Sequence, residues 1–359
     1  MLDMSEVALN VVQRSYTMLV RASSWRDGEL LAADIPVADG NESIDRGLAI
    51  PEQVTLTVPR RDRGIDWDPG ADPDHPLAAF GQQLHLSFGV DVGRGEFEWI
   101  DRGWFLITES GADGDTVNVS CQGLLTLVEE AEFVAPFQPS GTFVSTARSL
   151  VEPALTVEIS GLLLDRSVPV GMQWDTDRLG GLSELLTAWP ASAHITTQGT
   201  LLVEPLTDGG APVLSLTDGT GGTVMRWLGS TTRDGAFNCA VAQGEDAFGN
   251  QIQGVAYDTD SASPYRFGGP FNPLPVPYPF SSPLMTTVAQ CRAAAAAKII
   301  QLRRTASRRL EVRMVPHPGL TTGDVISATG AGLTGAPCVV EALTLPYSPS
   351  EMSLSVRVL

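Results

Sequence analysis

The sequence predicts a mainly β protein that carries a small α+β insert. Glycine and proline, 36 and 25 of the 359 residues, interrupt the chain throughout. Most segments between them are short and alternate apolar with polar residues, which is typical of strands with one buried face. Three segments have instead the three- and four-residue apolar spacing of a helix.

A first β-barrel domain is expected over residues 1–134. Residues 12–38 predict a hairpin, because two alternating runs flank the turn sequence Arg26-Asp27-Gly28. A second tight turn is predicted at Gly93-Arg94-Gly95, and a third at Gly111-Ala112-Asp113-Gly114. Further strands are expected in residues 49–60, 82–92, 97–110 and 115–133.

A small α+β insert is expected over residues 135–205. Apolar spacing predicts one helix at Thr142–Val151 and a second at Leu179–Trp189. The second helix leads through Gly199 into a predicted strand over residues 200–206.

A second β-barrel domain is expected over residues 206–359, with a long helix at about 284–305. Ser282 is the predicted N-cap of this helix and Pro283 its first residue. Residues 310–314 and 352–358 alternate with a period of two, so strands follow the helix and end the chain. The buried face of the helix is expected to consist of Val288, Cys291, Ala295, Ile299 and Leu302.

The formal net charge is −19, from 23 basic and 42 acidic residues. An acidic surface repels phosphates, which argues against a protein that holds nucleic acid by neutralising its backbone. No apolar run reaches the roughly 18 residues that span a bilayer. The N-terminal residues carry acids where a secretory signal needs bases. We therefore expect synthesis in the cytoplasm and no membrane insertion.

The histidines and cysteines predict neither a metal site nor a nucleophile. His75, His85, His194 and His317 lie far apart and form no peptidase motif. His317 stands between two prolines and is expected in an exposed turn. The cysteines form no C-x-x-C pair and are expected to be small buried apolar residues: Cys121, Cys239, Cys291 and Cys338.

Carboxylates leave two sites open, although no catalytic residue, metal or cofactor is predicted. A glycosidase pair of Glu129 or Glu130 with Asp165 depends on a separation in space that the sequence does not give. The acidic loop, residues 66–74, offers oxygen ligands for Ca²⁺ but lacks the spacing of a calcium loop. Its carboxylates are Asp66, Asp68, Asp72 and Asp74.

Aromatic residues have two expected roles. Most tryptophans are expected in the core rather than stacked on sugars; they are Trp99, Trp104, Trp174, Trp189 and Trp227. The proline-rich connector, residues 267–283, is different, because its prolines stiffen it and leave its rings with little local core. We predict that Phe267, Phe271, Tyr278 and Phe280 form an arm that contacts a neighbouring subunit; the alternative is that the connector packs on its own barrel.

Three segments together resemble the hub proteins of bacteriophage tails, in particular those of phages that infect actinobacteria. Residues 97–110 with 115–130 are similar to the first barrel of that family. Residues 171–206 resemble its helix followed by a glycine and a strand, and residues 284–359 resemble its final helix and strands. The resemblance covers most of the chain and rests on the order and spacing of elements.

The resemblance implies two tail-tube-like antiparallel β-barrels per chain and a homotrimer that presents six barrels in a ring. Such a ring would join a tail tube or distal tail ring to tip or fibre proteins, inside the virion at the tail tip. DNA would pass through an acidic lumen without specific binding. The alternative function is a carbohydrate- or receptor-binding tail-tip module, and a wall hydrolase is a third. Because the chain stops with the last hub strand, we expect other proteins to supply those activities.

Overall fold

The computed structural model describes residues 1–14, 16–207, 209–230, 233, 235–246, 248–306 and 309–359. The chain divides into two compact units. Unit 1 comprises Met1–Thr126, Gly209–Gly229 and Arg309–Val358. Unit 2 comprises Leu127–Asp208, Ser230–Arg308 and Leu359.

These units differ from the three consecutive domains expected at 1–134, 135–205 and 206–359. Strand pairing is the reason, because the strand Leu333–Pro346 pairs antiparallel with the strand Asp39–Asp45, with Leu343 opposite Ile44. The C-terminal strands therefore belong to the same sheet as the N-terminal strands. Residues 230–308, which include the long helix, group with the insert.

The described residues form mainly strands, which confirms the predicted mainly β class. The helices are α1 (Glu6–Val11), α2 (Thr126–Glu129), α3 (Phe143–Val151), α4 (Arg178–Ala188) and α5 (Val288–Ala306). The strands are β1 (Met18–Arg26), β2 (Glu29–Ile35), β3 (Asp39–Asp45), β4 (Glu52–Pro59), β5 (Arg61–Asp62), β6 (Ile65–Asp66), β7 (Gln83–Gly93), β8 (Glu96–Asp113), β9 (Thr116–Gly123), β10 (Val157–Ile159), β11 (Ala191–Ile195), β12 (Leu201–Pro205), β13 (Leu214–Thr217), β14 (Val224–Ser230), β15 (Cys239–Glu245), β16 (Gln251–Tyr257), β17 (Pro277–Ser281), β18 (Arg309–Met314), β19 (Val325–Gly330), β20 (Leu333–Pro346) and β21 (Met352–Val358).

Unit 1 contains one 13-stranded sheet, largely antiparallel, in the order β14-β18-β21-β20-β3-β4-β9-β8-β7-β1-β2. Strand β19 also pairs with β20, and β13 pairs with β19 in parallel. Alternate residues enter the core on strands such as β4, where Val54, Leu56 and Val58 are buried. The pair β3–β20 therefore joins strands from the two ends of the chain in one hydrophobic core.

Two predicted turns of this sheet are confirmed. Asp27 and Gly28 have φ of 52° and 79° and connect β1 to β2, and Arg94 and Gly95, with φ of 60° and 77°, connect β7 to β8. Two successive residues in the left-handed region fit the right-handed twist of a two-residue hairpin. The third turn lies two residues later than predicted, since β8 runs to Asp113, which pairs with Thr116, and the chain turns at residues 114–115.

Unit 2 contains two three-stranded sheets and helices that pack on them. The sheet β10-β12-β11 accompanies α3 and α4, which begin at the N-caps Thr142 and Asp177 and confirm the two predicted insert helices. The sheet β16-β15-β17 lies against α5. Gly254 of β16 allows this close contact, because a Cβ there would lie 2.3 Å from the backbone nitrogen of Arg292.

The long helix exists but begins at Val288, so Ser282 and Pro283 are not its first residues. A capping box explains the later start: Gln290 N donates to Thr287 Oγ1 at 3.2 Å, and Thr287 N donates to Gln290 Oε1 at 3.2 Å. Cys291, Ala295, Ile299 and Leu302 are buried as predicted, whereas Val288, in the first turn, is exposed. Among the described residues, the helices are too short or too polar to cross a membrane.

Candidate functional site

The connector contains the four aromatic residues predicted to contact a neighbouring subunit. Phe267, Phe271, Tyr278 and Phe280 are half-buried. The distances between ring centroids are 4.6 Å for Phe267 and Tyr257, 5.0 Å for Phe271 and Tyr265, 5.2 Å for Tyr278 and Phe237, and 6.3 Å for Tyr278 and Phe280. The connector thus packs within unit 2 and leaves part of each ring accessible. Its contact with a neighbouring subunit stays a prediction.

Asn238 fastens the connector to β15, and sequence reasoning missed it. The side chain is fully buried. Val276 N donates to its Oδ1 at 2.7 Å, and its Nδ2 donates to the carbonyl oxygen of Leu274 at 3.2 Å. A buried amide that satisfies backbone groups of a proline-rich segment holds that segment in one conformation. The sequence signal for this role was the position of the asparagine directly before the apolar strand Cys239–Glu245.

Two further contacts hold the ends of this region. Arg303 Nη2 lies 2.8 Å from Oδ1 of buried Asp258, and its Nη1 lies 3.1 Å from Oδ2 of Asp260. The last turn of α5 is thereby joined to the loop that precedes the connector. Ser282 Oγ donates to Glu184 Oε1 of α4 at 2.6 Å, which gives Ser282 a tertiary role in place of the predicted cap.

Unit 1 has a buried ion pair between β3 and β8. Arg102 Nε and Nη2 donate to the two carboxylate oxygens of Glu42 at 2.8 and 2.6 Å. Arg102 Nη1 donates to the carbonyl oxygens of Pro318 and Leu320 at 2.6 and 3.1 Å. Both charged side chains are almost inaccessible, so the charges depend on each other and on these carbonyl groups. Glu42 and the buried Ile44 are two residues apart on β3, so their side chains lie on the same face of the strand. This spacing was the sequence signal for the burial of Glu42.

His317 lies in the same region, and the prediction that it is exposed was wrong. The side chain is buried, because Pro316, Pro318 and Leu320 around it are also buried. Its two ring nitrogens have no hydrogen-bond partner among the described residues. Burial lowers the pKa of His317 to about 4, and the charge of nearby Arg102 acts in the same direction. This histidine is therefore neutral at physiological pH.

The half-buried Glu52 of unit 1 has the opposite pH dependence. Burial raises the pKa of Glu52 to about 7, and the charge of Glu42 adds to this. Oε2 of Glu52 has no hydrogen-bond partner among the described residues. The carboxylate packs against Gly123, where a Cβ would lie 2.2 Å from Oε2.

The acidic loop is organised by arginines and by its own backbone. Arg60 Nη2 lies 2.9 Å from Asp68, and Arg26 Nη2 lies 2.7 Å from Asp74. Asp72 Oδ1 accepts a hydrogen bond from the backbone nitrogen of Asp74 at 3.0 Å. In the described part of the chain, no group of three or more histidine, cysteine or acidic residues is arranged to hold a metal ion.

The three carboxylates considered for glycoside hydrolysis lie at exposed positions. Glu129 and Glu130 are exposed at the end of α2. Asp165 is also exposed, and its Oδ1 accepts hydrogen bonds from the backbone nitrogens of Val144 and Arg166 at 3.2 and 2.9 Å. It thus caps the first turn of α3, where a negative charge is favourable.

The four cysteines are buried as the sequence predicts, whereas the five tryptophans are in the core only in part. All four cysteines are free and buried. Trp174 and Trp189 are buried, and Trp99, Trp104 and Trp227 are half-buried. The guanidinium carbon of Arg21 lies 3.8 Å from the centroid of Trp99, and the rings of His85 and Trp104 are 4.6 Å apart. The exposed faces of these rings are therefore partly covered by protein side chains.

Comparison with known proteins defines the class of fold. No family model and no curated protein matches the sequence. A solved tail protein from Neisseria meningitidis MC58 matches with a TM-score of 0.64 and 12% identity, over 94% of this chain and 96% of that chain. The 43 kDa tail protein of prophage MuSo2 from Shewanella oneidensis matches with a TM-score of 0.56 and 12% identity, over 94% and 98% of the two chains. The prophage tail protein gp18 from Listeria monocytogenes EGD-e matches with a TM-score of 0.53 and 11% identity, over 93% of this chain and 94% of that chain. This chain therefore has a fold found in phage tail proteins.

Proposed function

We propose that this chain is a non-enzymatic structural protein of a bacteriophage tail, and that it forms the hub of the tail tip or baseplate. The observation that carries the proposal is the likeness to the Neisseria meningitidis tail protein over nearly the whole of both chains. The solved tail proteins of two prophages share the fold over a similar extent. An actinobacterial host remains part of the proposal, on the resemblance in sequence alone.

In this proposal three copies form a ring with two similar β modules per copy. The modules are the two halves of the unit 1 sheet, which meet at the pair β3–β20. Three copies then present six modules to a tail tube or distal tail ring, while the assembly keeps threefold symmetry for tip or fibre proteins. A single polypeptide can adapt one symmetry to the other in this way.

The net charge of −19 supports a channel for DNA in the same proposal. Carboxylates around a lumen repel phosphates, so duplex DNA would slide through without being retained. The ring would belong to the virion, at the tail tip.

Electron microscopy of the purified full-length chain tests the proposal. We expect threefold rings with an open lumen wide enough for duplex DNA. A monomer that binds oligosaccharide would instead support the carbohydrate- or receptor-binding module. Release of soluble fragments from peptidoglycan, abolished by a single carboxylate substitution, would contradict the non-enzymatic role.

A further inference from the structure

Three strands of the unit 1 sheet, β2, β13 and β14, have one hydrogen-bonded neighbour each among the described residues. Of these, β2 and β14 are seven residues long, whereas β13 has four residues. The outer edge of such a strand presents N–H and C=O groups that can pair with a further strand. The two edges are therefore backbone templates of equal length at opposite ends of one sheet.

Both edge strands also expose large apolar side chains. Leu30 of β2 is 48% exposed, and Met225 and Leu228 of β14 are 58% and 40% exposed. An exposed apolar edge promotes association unless charges or prolines protect it. Neither β2 nor β14 contains a proline.

The charges on the two edges are of opposite sign. Glu29 of β2 and Arg226 of β14 are exposed, and neither takes part in an ion pair with another described residue. The other acid of β2, Asp34, has Arg63 Nη1 3.3 Å from its Oδ2.

We propose that β14 of one copy pairs in parallel with β2 of the next copy, with Val224 opposite Glu29, so that Arg226 lies diagonally across from Glu29 on the same face. Pairing of β2 with β2 of another copy would join two strands whose charged side chains, Glu29 and Asp34, are all acidic, so no opposite charge would face them. Unlike edges that pair head to tail form a heterologous contact, which generates a ring where the rotation closes. The inference rests on the proposed trimeric ring and names the surface that builds it.

A charge-swap experiment tests the contact in the full-length chain. We expect Glu29→Arg and Arg226→Glu each to weaken association between copies at least tenfold, measured by sedimentation at low salt. The double variant E29R/R226E restores most of the association, because the pair is re-formed with its charges exchanged. Glu96→Arg at the β7–β8 turn is the matched control, since it makes the same charge change at an exposed residue away from both edges.

An apolar pair of variants provides a second measurement. Leu30→Ser should weaken association, while Leu48→Ser should not, although both leucines are 48% exposed. Rings that form equally well with all of these variants would overturn the edge contact and leave the proposed function intact. A wild-type chain that stays monomeric at high concentration would overturn the contact and the hub proposal together.

Discussion

Arg102 and Glu42 illustrate how much a buried charge depends on its partner. The guanidinium of Arg102 donates hydrogen bonds to the Glu42 carboxylate and to two backbone carbonyl oxygens. Both charged side chains are shielded from bulk water. Removal of either charge leaves the other buried and uncompensated, which is far more costly than removal of both.

We expect Arg102→Met to lower the free energy of unfolding by about 3–5 kcal/mol. The double variant E42L/R102M should recover a large part of this loss, because no isolated charge remains. Urea unfolding of the single and double variants measures the effect. A loss below about 1 kcal/mol for Arg102→Met would contradict the mutual dependence of the two charges.

His317 provides a prediction about pH. Its pKa is about 4 in the folded protein and about 6.5 in an unfolded chain, so the unfolded state binds more protons between these values. The stability contributed by the neutral ring is fully present above pH 6.5 and is lost as the pH falls toward 4.

We therefore expect His317→Leu to reduce the loss of stability between pH 6.5 and 4 by about 3 kcal/mol relative to the wild type. Glu52, whose pKa is raised to about 7, affects both proteins equally and does not contribute to the difference. Unfolding in urea at a series of pH values gives the two curves. His194→Leu, at an exposed histidine, is the control, and parallel curves for His317→Leu and wild type would contradict the prediction.

At the scale of elements, the local sequence determines that α5 is a helix, whereas tertiary contacts affect where it begins. The apolar spacing predicts a helix and most of its buried face, but the start depends on the competition between two caps. Ser282 is engaged with Glu184 in the tertiary structure, and the Thr287–Gln290 capping box begins the helix instead. The sequence pattern alone does not show that the Ser282 hydroxyl is already hydrogen-bonded to Glu184 in the folded chain.

The contact between α5 and β16 is tested by Gly254→Ala. The new Cβ would lie 2.3 Å from Arg292 N and 2.4 Å from the carbonyl carbon of Cys291, so the helix must move away from the strand. We expect a loss of about 1–3 kcal/mol in the free energy of unfolding. Gly161→Ala is the matched control in unit 2, because its Cβ meets no atom within 4 Å. Equal stabilities of the two variants would contradict the close packing.

At the scale of the whole molecule, the pairing of β3 with β20 makes the two ends of the chain interdependent. The three domains predicted from the sequence are consecutive segments of the chain. The pairing joins residues about three hundred positions apart, because strand partners are chosen by edges and packing that exist only in the folded chain.

We expect a fragment of residues 1–126 not to fold cooperatively alone. It lacks the partner of β3, and its Arg102 loses the carbonyl groups of Pro318 and Leu320. Thermal unfolding followed by near-ultraviolet circular dichroism measures this, with the full chain as the reference. A sharp transition and dispersed amide resonances would show that residues 1–126 fold without the C-terminal strands.

The sequence by itself determined the mainly β class, the two-residue turns at Asp27-Gly28 and Arg94-Gly95, and the insert helices, because these depend on local periodicity and backbone preference. Only the tertiary structure decided that His317 is buried, that Arg102 meets Glu42, and that strands from both ends share one sheet. These features depend on contacts between residues distant in the chain, and no local pattern specifies which distant partner a strand edge or a buried charge will find.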